Sequence, residues 1–182
     1  EVLENLSNSF EIESVDKKTR QKQSKPPYTT STMQQDASSK LNFNAKKTMQ
    51  IAQKLYEGIE LEDDTVGLIT YMRTDSTRLS DEFIKSTYGY IKSTYGEEYI
   101  GYVKKSKKTD NVQDAHEAIR PTDIKLFPSE VKESLSREQF RLYQLIWKRF
   151  VASRMNPAKY ETTSIKIGAG EYRFVVATSK IV

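Results

Sequence analysis

The sequence predicts an α+β fold in which a mainly helical domain is inserted into a β-rich one, and three observations carry that expectation. A strand pattern stands near the start, helical periodicities with capping residues fill the middle, and a β-hairpin pattern closes the chain. The boundaries fall at 1–27 for the first β-rich part, 28–156 for the helical domain and 157–182 for the return strands. With 182 residues and 36% hydrophobic content, the chain can form one ordinary domain or a domain with part of another.

Phe10, Ile12 and Val15, interleaved with Glu11, Glu13 and Ser14, alternate as a strand does, with one slip. Asp16 to Lys25 is charged and reads as an exposed connection, and Pro26-Pro27 stops regular structure. Thr30, Ser31 and Thr32 are candidate N-caps for a short helix. A clearer helix runs from Asn44 as cap to Gly58 as stop, with Met49, Ala52, Leu55 and Tyr56 at helical spacing and Lys46, Lys47 and Lys54 on a solvated face. Glu60 to Asp64 then forms an acidic turn, and Val66, Leu68 and Ile69 begin a short buried strand. Ser80 caps the next helix, where Asp81 and Glu82 suit the positive end of the dipole and Ile84, Tyr88, Ile91 and Tyr95 form the apolar stripe. Lys104 to Lys108, with Thr109-Asp110-Asn111, reads as a mobile basic loop. Ser136 and Gln139 make a capping box that opens the last helix, whose apolar face is Phe140, Tyr143, Ile146, Trp147, Phe150 and Val151 and which Pro157 ends. Tyr160 to Ile167 and Glu171 to Val176, joined through Gly168-Ala169-Gly170, form the hairpin.

Composition narrows the chemistry. There are no cysteines, so disulfides, thiolate metal sites and cysteine nucleophiles drop out together, and a single histidine, His116, leaves no multi-histidine zinc site. The net charge of +4 and pI near 9.0 are compatible with a nucleic-acid partner. No run approaches the roughly 20 apolar residues that cross a bilayer, and the start lacks a leader pattern, so a cytoplasmic protein without a membrane partner is expected. The chain begins without Met and ends on ATSKIV, as expected of a piece of a longer protein.

The stretch GLITYMRTDSTRLS, Gly67 to Ser80, carries the most specific pattern. Tyr71, Arg73 and Asp75 stand at every second position, which in an extended chain places all three on one face. A phenol beside a guanidinium suits attack on a phosphodiester: Tyr71 as nucleophile, Arg73 as a planar, permanently charged clamp on the non-bridging oxygens. In Asp114 to Thr122, DAHEAIRPT, Arg120 follows His116 by four residues, so on a helix or turn the two share a face and can grip a phosphate. An ordinary capped turn with a surface histidine is the competing reading of that stretch.

Taken together, PPYTTSTMQQDAS at Pro26 to Ser38, GLITYMRTDSTRLS and DAHEAIRPTD at Asp114 to Asp123 resemble the type IA DNA topoisomerases, in the order that family has them. YMRTDS with AHEAIRPT is similar to the bacterial topoisomerase I branch; the topoisomerase III branch usually has proline after the tyrosine. The resemblance implies a helical domain within a partial β-rich arch of the type IA fold. It also implies that Tyr71 attacks single-stranded DNA to form a 5′-phosphotyrosine link, which the free 3′-hydroxyl reseals after strand passage, relaxing negatively supercoiled DNA. Arg73 would hold the scissile phosphate and His116 would contact the same region. Thr74, Ser76 and Arg120 would lie at the DNA, while Asp75 and Glu117 would orient the neighbouring arginines. A tyrosyl phosphate stores the broken bond as an ester of similar energy, so no nucleotide cofactor is needed, and no Walker-type loop is present.

The family holds its Mg²⁺ and a catalytic glutamate in an N-terminal Toprim domain, and nothing in this sequence matches that pattern. This chain is therefore expected to hold no metal of its own, to be inactive alone, and to work with DNA and the remaining domains of the same protein. The alternative function is a single-stranded DNA-binding module in which Tyr71 stacks on a base. A tyrosine recombinase or nuclease is disfavoured, because one histidine leaves too few phosphate contacts for that chemistry.

Overall fold

The computed structural model describes residues 9–61, 64–101 and 116–182; the basic stretch Lys104 to Lys108 and residues Asp114 and Ala115 lie outside the described residues. The chain divides into two compact units, the described part of Glu1–Gln23 with Pro157–Val182, and Ser24–Asn156.

The first unit is a three-stranded antiparallel sheet in the order β1-β4-β5, built from β1 (Glu11–Lys22), β4 (Ala158–Ala169) and β5 (Tyr172–Ile181). The slip in the alternation of β1 is a register shift between Ile12 and Ser14. It keeps Ile12, Ile167 and Phe174 in one cross-strand row and Val15, Ile165 and Val176 in the next. The charged stretch after Val15 is not the connection its composition suggests: it continues as strand to Lys22, opposite Ala158. An antiparallel ladder satisfies backbone N–H and C=O groups whatever the side chains, and a strand exposed on both faces needs no apolar alternation. β4 and β5 likewise outrun the hairpin pattern and turn at Gly170, whose φ of 63° favours glycine.

The second unit holds the helices α1 (Thr30–Leu41), α2 (Ala45–Glu57), α3 (Asp81–Thr94) and α4 (Arg137–Ala152), with a short ribbon of β2 (Ile59–Leu61) and β3 (Asp64–Val66). Thr29 caps α1 in a reciprocal box with Thr32, one residue before the expected candidates, which leaves the Thr30 hydroxyl free for another partner. Asn44, Ser80 and Ser136 cap the other three helices as the sequence predicts, and Gly58 at φ 141° ends α2. α4 buries Leu142, Tyr143, Ile146, Trp147, Phe150 and Val151 but ends at Ala152, well before Pro157, and Phe140 is only half-buried. On α3 the buried positions are Thr87 and Ile91; Tyr88 is half-buried, its hydroxyl donating to the Gly101 carbonyl, and Tyr95 stays exposed.

A polar knot ties α1, α4 and the proline pair together. The Tyr28 hydroxyl donates to Asp36 at 2.6 Å, Lys40 pairs with the same carboxylate at 2.7 Å, and Arg149 reaches it at 3.3 Å. Arg149 also donates to the Pro26 carbonyl and lies over the Tyr28 ring, 4.7 Å from its centroid. Burial pushes the Tyr28 hydroxyl up, and the hydrogen bond to Asp36 adds to it, so it stays protonated. Burial alone would raise the Asp36 carboxyl, but the hydrogen bonds from Lys40 and Tyr28, with the charges of Lys40 and Arg149, hold it below the usual carboxylate range. A depressed folded value contributes stability that is present above the unfolded value, about 3.9, and lost as pH falls through the folded one. Denaturation midpoints should therefore drop on acidification below about pH 4, and Asp36→Ala should cost roughly 1.5–3 kcal/mol at neutral pH, the scale for hydrogen bonds to a charged group. A variant with parent stability and the same acid limb would show that the knot contributes nothing.

Candidate active site

The segment from Gly67 to Ser80 is not a ladder strand; apart from a bridge between Ile69 and Pro121 it is held by scattered hydrogen bonds. Leu68 N–H donates to the Leu55 carbonyl at 2.7 Å, and Thr70 N–H to the Arg120 carbonyl at 2.9 Å. The Thr70 hydroxyl donates to Ala118 O at 2.7 Å and accepts from Arg120 N–H at 3.0 Å. The Thr30 hydroxyl, left over from the cap of α1, donates to Met72 O at 2.7 Å and accepts from Thr74 N–H at 2.9 Å. Thr74 and Ser76 hydroxyls then accept from the N–H groups two residues on, Ser76 and Arg78, each at 3.1 Å.

The result is strict alternation. Met72, Thr74 and Ser76 are buried, whereas Tyr71, Arg73 and Asp75 are exposed. Thr74 at 8% exposure and Ser76 at 5% face the interior, where their hydroxyls brace the backbone.

The second stretch departs from its expected helix or turn. From His116 to Thr122 the described chain pairs outward instead: Ala118 N–H with Arg78 O, Ile119 N–H with Tyr28 O, and Thr122 N–H with Leu68 O. The four-residue spacing of His116 and Arg120 therefore does not bring them to one helical face. The Arg120 guanidinium is largely buried, donating to Glu117 at 2.7 Å and to the Pro121 carbonyl at 2.8 Å while stacked 3.8 Å from the centre of the Phe83 ring. It pins α3 to this arm. Glu117 is the partner of that arginine; Asp75 forms no ion pair with another described residue, nor does Arg73.

Tyr71 is 37% exposed, with its ring between two others. His116, itself exposed, lies 5.3 Å away between centroids at 39°. Tyr56, from the last turn of α2, meets it edge-on at 5.4 Å and 67°. The helical spacing had placed Tyr56 in an apolar stripe. In the structure the buried side of α2 is Thr48, Ile51, Ala52 and Leu55, and Tyr56 stands outside it. An exposed phenol flanked by an imidazole, with a guanidinium two residues along that pairs with no described carboxylate, can attack an electrophile and hold an anion beside it. No group of three or more His, Asp or Glu side chains that could hold a metal ion occurs among the described residues.

A family model described as DNA topoisomerase matches residues 1–182. Among solved structures, the full-length topoisomerase I from Thermotoga maritima is similar, with a TM-score of 0.84 and 41% sequence identity. That match covers 100% of this chain and 29% of the Thermotoga chain.

The Thr30 hydroxyl braces the Tyr71 segment from α1. Thr30→Val leaves the Thr74 N–H and the Met72 carbonyl without their partner and should lower unfolding free energy by about 1–3 kcal/mol, whereas Thr30→Ser should retain most of it. Equal denaturant midpoints for parent and Thr30→Val would show that this hydroxyl braces nothing.

Proposed function

This chain belongs to the bacterial type IA DNA topoisomerases, a family of isomerases acting on DNA, and from that premise we propose that it supplies the nucleophile of a transient single-strand break. The Tyr71 oxygen attacks the phosphorus of a phosphodiester, a P–O bond to the 3′ oxygen breaks, and the DNA 5′ end is left joined to the tyrosine. The proton lost by the phenol is balanced by the one the departing 3′ oxygen takes up. Resealing is the reverse, with the 3′-hydroxyl attacking and the phenol leaving, so no external energy source enters. Strand passage between the two steps relaxes negatively supercoiled DNA.

Arg73 holds the non-bridging oxygens and offsets the charge that grows on them in the transition state. His116 stands against the Tyr71 ring, from where it contacts the same phosphate region. Thr74 and Ser76 brace the segment; Arg120 and Glu117 fix the arm that carries His116. Asp75 faces outward beside Arg73. The observation that supports this reading is the shared exposure of Tyr71 and Arg73 on a segment whose intervening residues are buried and hydrogen-bonded.

We assign the Mg²⁺ that the family uses to other domains of the whole protein, and the steps above say what this chain's own groups do. Because the chain spans 29% of the length of the Thermotoga protein, we place catalysis in the whole protein, in the cytoplasm with its DNA, and expect the 182-residue piece to be inactive alone.

With the N-terminal part supplied in trans, the parent should form a covalent DNA adduct that Tyr71→Phe abolishes while DNA binding persists. Arg73→Ala should slow cleavage by the equivalent of about 2–4 kcal/mol of transition-state stabilisation. Relaxation by the piece alone, or an adduct surviving in Tyr71→Phe, would overturn the proposal. No adduct in the parent, with weaker binding in Tyr71→Ala, would make Tyr71 a stacking platform instead.

A further inference from the structure

Tyr56 is a large aromatic that the helix carrying it does not bury. It is 42% exposed at the last turn of α2, and its ring touches Tyr71 rather than the core. Its hydroxyl has no hydrogen-bond partner among the described residues, and its contact with Tyr71 is made by the ring. We propose that Tyr56 is a positioning residue for strand cleavage, holding the Tyr71 phenol in its reactive rotamer; this rests on the reading of Tyr71 as the nucleophile.

Tyr71 needs such support because its own segment is braced only from the inner side. The backbone of Thr70 to Ser76 is fixed by hydroxyls that point inward, yet nothing in that arrangement limits rotation of an outward side chain about its χ1 and χ2 bonds. Two neighbours do: the His116 ring and the Tyr56 ring, from two different parts of the chain. The Tyr56 contact has the tilted, edge-to-face geometry that aromatic rings favour, which sets an orientation as well as a distance.

The platform under Tyr56 is itself rigid. Leu68 N–H is bonded to the Leu55 carbonyl at 2.7 Å, stitching the end of α2 to the start of the Tyr71 segment. A Cβ on Gly67 would stand 2.5 Å from the Tyr56 carbonyl oxygen, so glycine is what permits this close approach. Gly58, at φ 141°, ends the helix two residues beyond Tyr56. The separation of the two phenols is thus set by backbone contacts that a change in the Tyr56 side chain leaves in place.

The test uses DNA cleavage with the missing N-terminal part supplied, at saturating DNA in single turnover. Tyr56→Ala should cleave roughly 10- to 100-fold more slowly, the scale for a misplaced reacting group. Its DNA affinity and thermal midpoint should match the parent, and Tyr56→Phe, which keeps the ring, should keep the parent rate. An independent readout is ¹⁹F NMR of the 182-residue chain with fluorotyrosine at position 71: ring order there should fall in Tyr56→Ala and persist in Tyr56→Phe. Unchanged cleavage in Tyr56→Ala with an adduct-forming parent overturns the positioning role alone. Weaker DNA binding with an unchanged saturated rate overturns it in favour of a base platform. A parent that forms no adduct overturns the cleavage reading, and the NMR arm then decides the ring contact by itself.

Discussion

The constraint on which the Tyr71 site depends is that an extended segment lacking a strand partner must still satisfy its buried backbone. Five hydroxyls supply much of what a neighbouring strand would have supplied: Thr122 at Gly67, Thr30 from α1, then Thr70, Thr74 and Ser76 from the segment itself. Each buried donor left open would cost about 1–3 kcal/mol, so the register that satisfies all of them is strongly preferred. A slip by one residue would turn Tyr71 and Arg73 inward and the hydroxyls outward, losing every brace at once. Small polar residues at alternate positions are therefore the reason the larger functional groups are held outside.

The same logic separates the two arginines. Arg120 carries the charge one would want at a phosphate, but its guanidinium is engaged by Glu117, by the Pro121 carbonyl and by the face of Phe83. Withdrawing it would leave a carboxylate half-buried and unpaired, which opposes its recruitment to a ligand. Arg73 has no such obligation among the described residues and sits two positions from the phenol. Rigidity comes from the arginine that is tied down, and the one that is not is the one we propose for anion binding.

How far the sequence was legible follows the range of the interactions. Caps at Asn44, Ser80 and Ser136 were readable because a cap is a bond between a side chain and a backbone group three residues away. The alternation of Tyr71, Arg73 and Asp75 was readable for a similar reason, since it is a property of a short extended chain. What was not readable depends on distant partners. β1 runs on to Lys22 only because β4 lies beside it, and the His116 arm is extended because Tyr28, Leu68 and Arg78 take its backbone bonds. Tyr56 was assigned to a helical stripe because a 3.6-residue period does not say where the buried face ends. A signal for it did exist, in the glycine at position 67 that lets the Tyr71 segment start directly against the end of its helix.

Native-state hydrogen exchange, read residue by residue by NMR, tests the brace most directly. Amides of Thr70, Thr74, Ser76 and Arg78 donate to described partners and should exchange slowly once corrected for intrinsic rates, while those of Tyr71, Arg73 and Asp75 should exchange fast. An alternating profile is the predicted result. Uniform fast exchange from Thr70 to Arg78 would mean that the hydroxyls do not hold the segment, and that its outward face is not preorganised for chemistry at all.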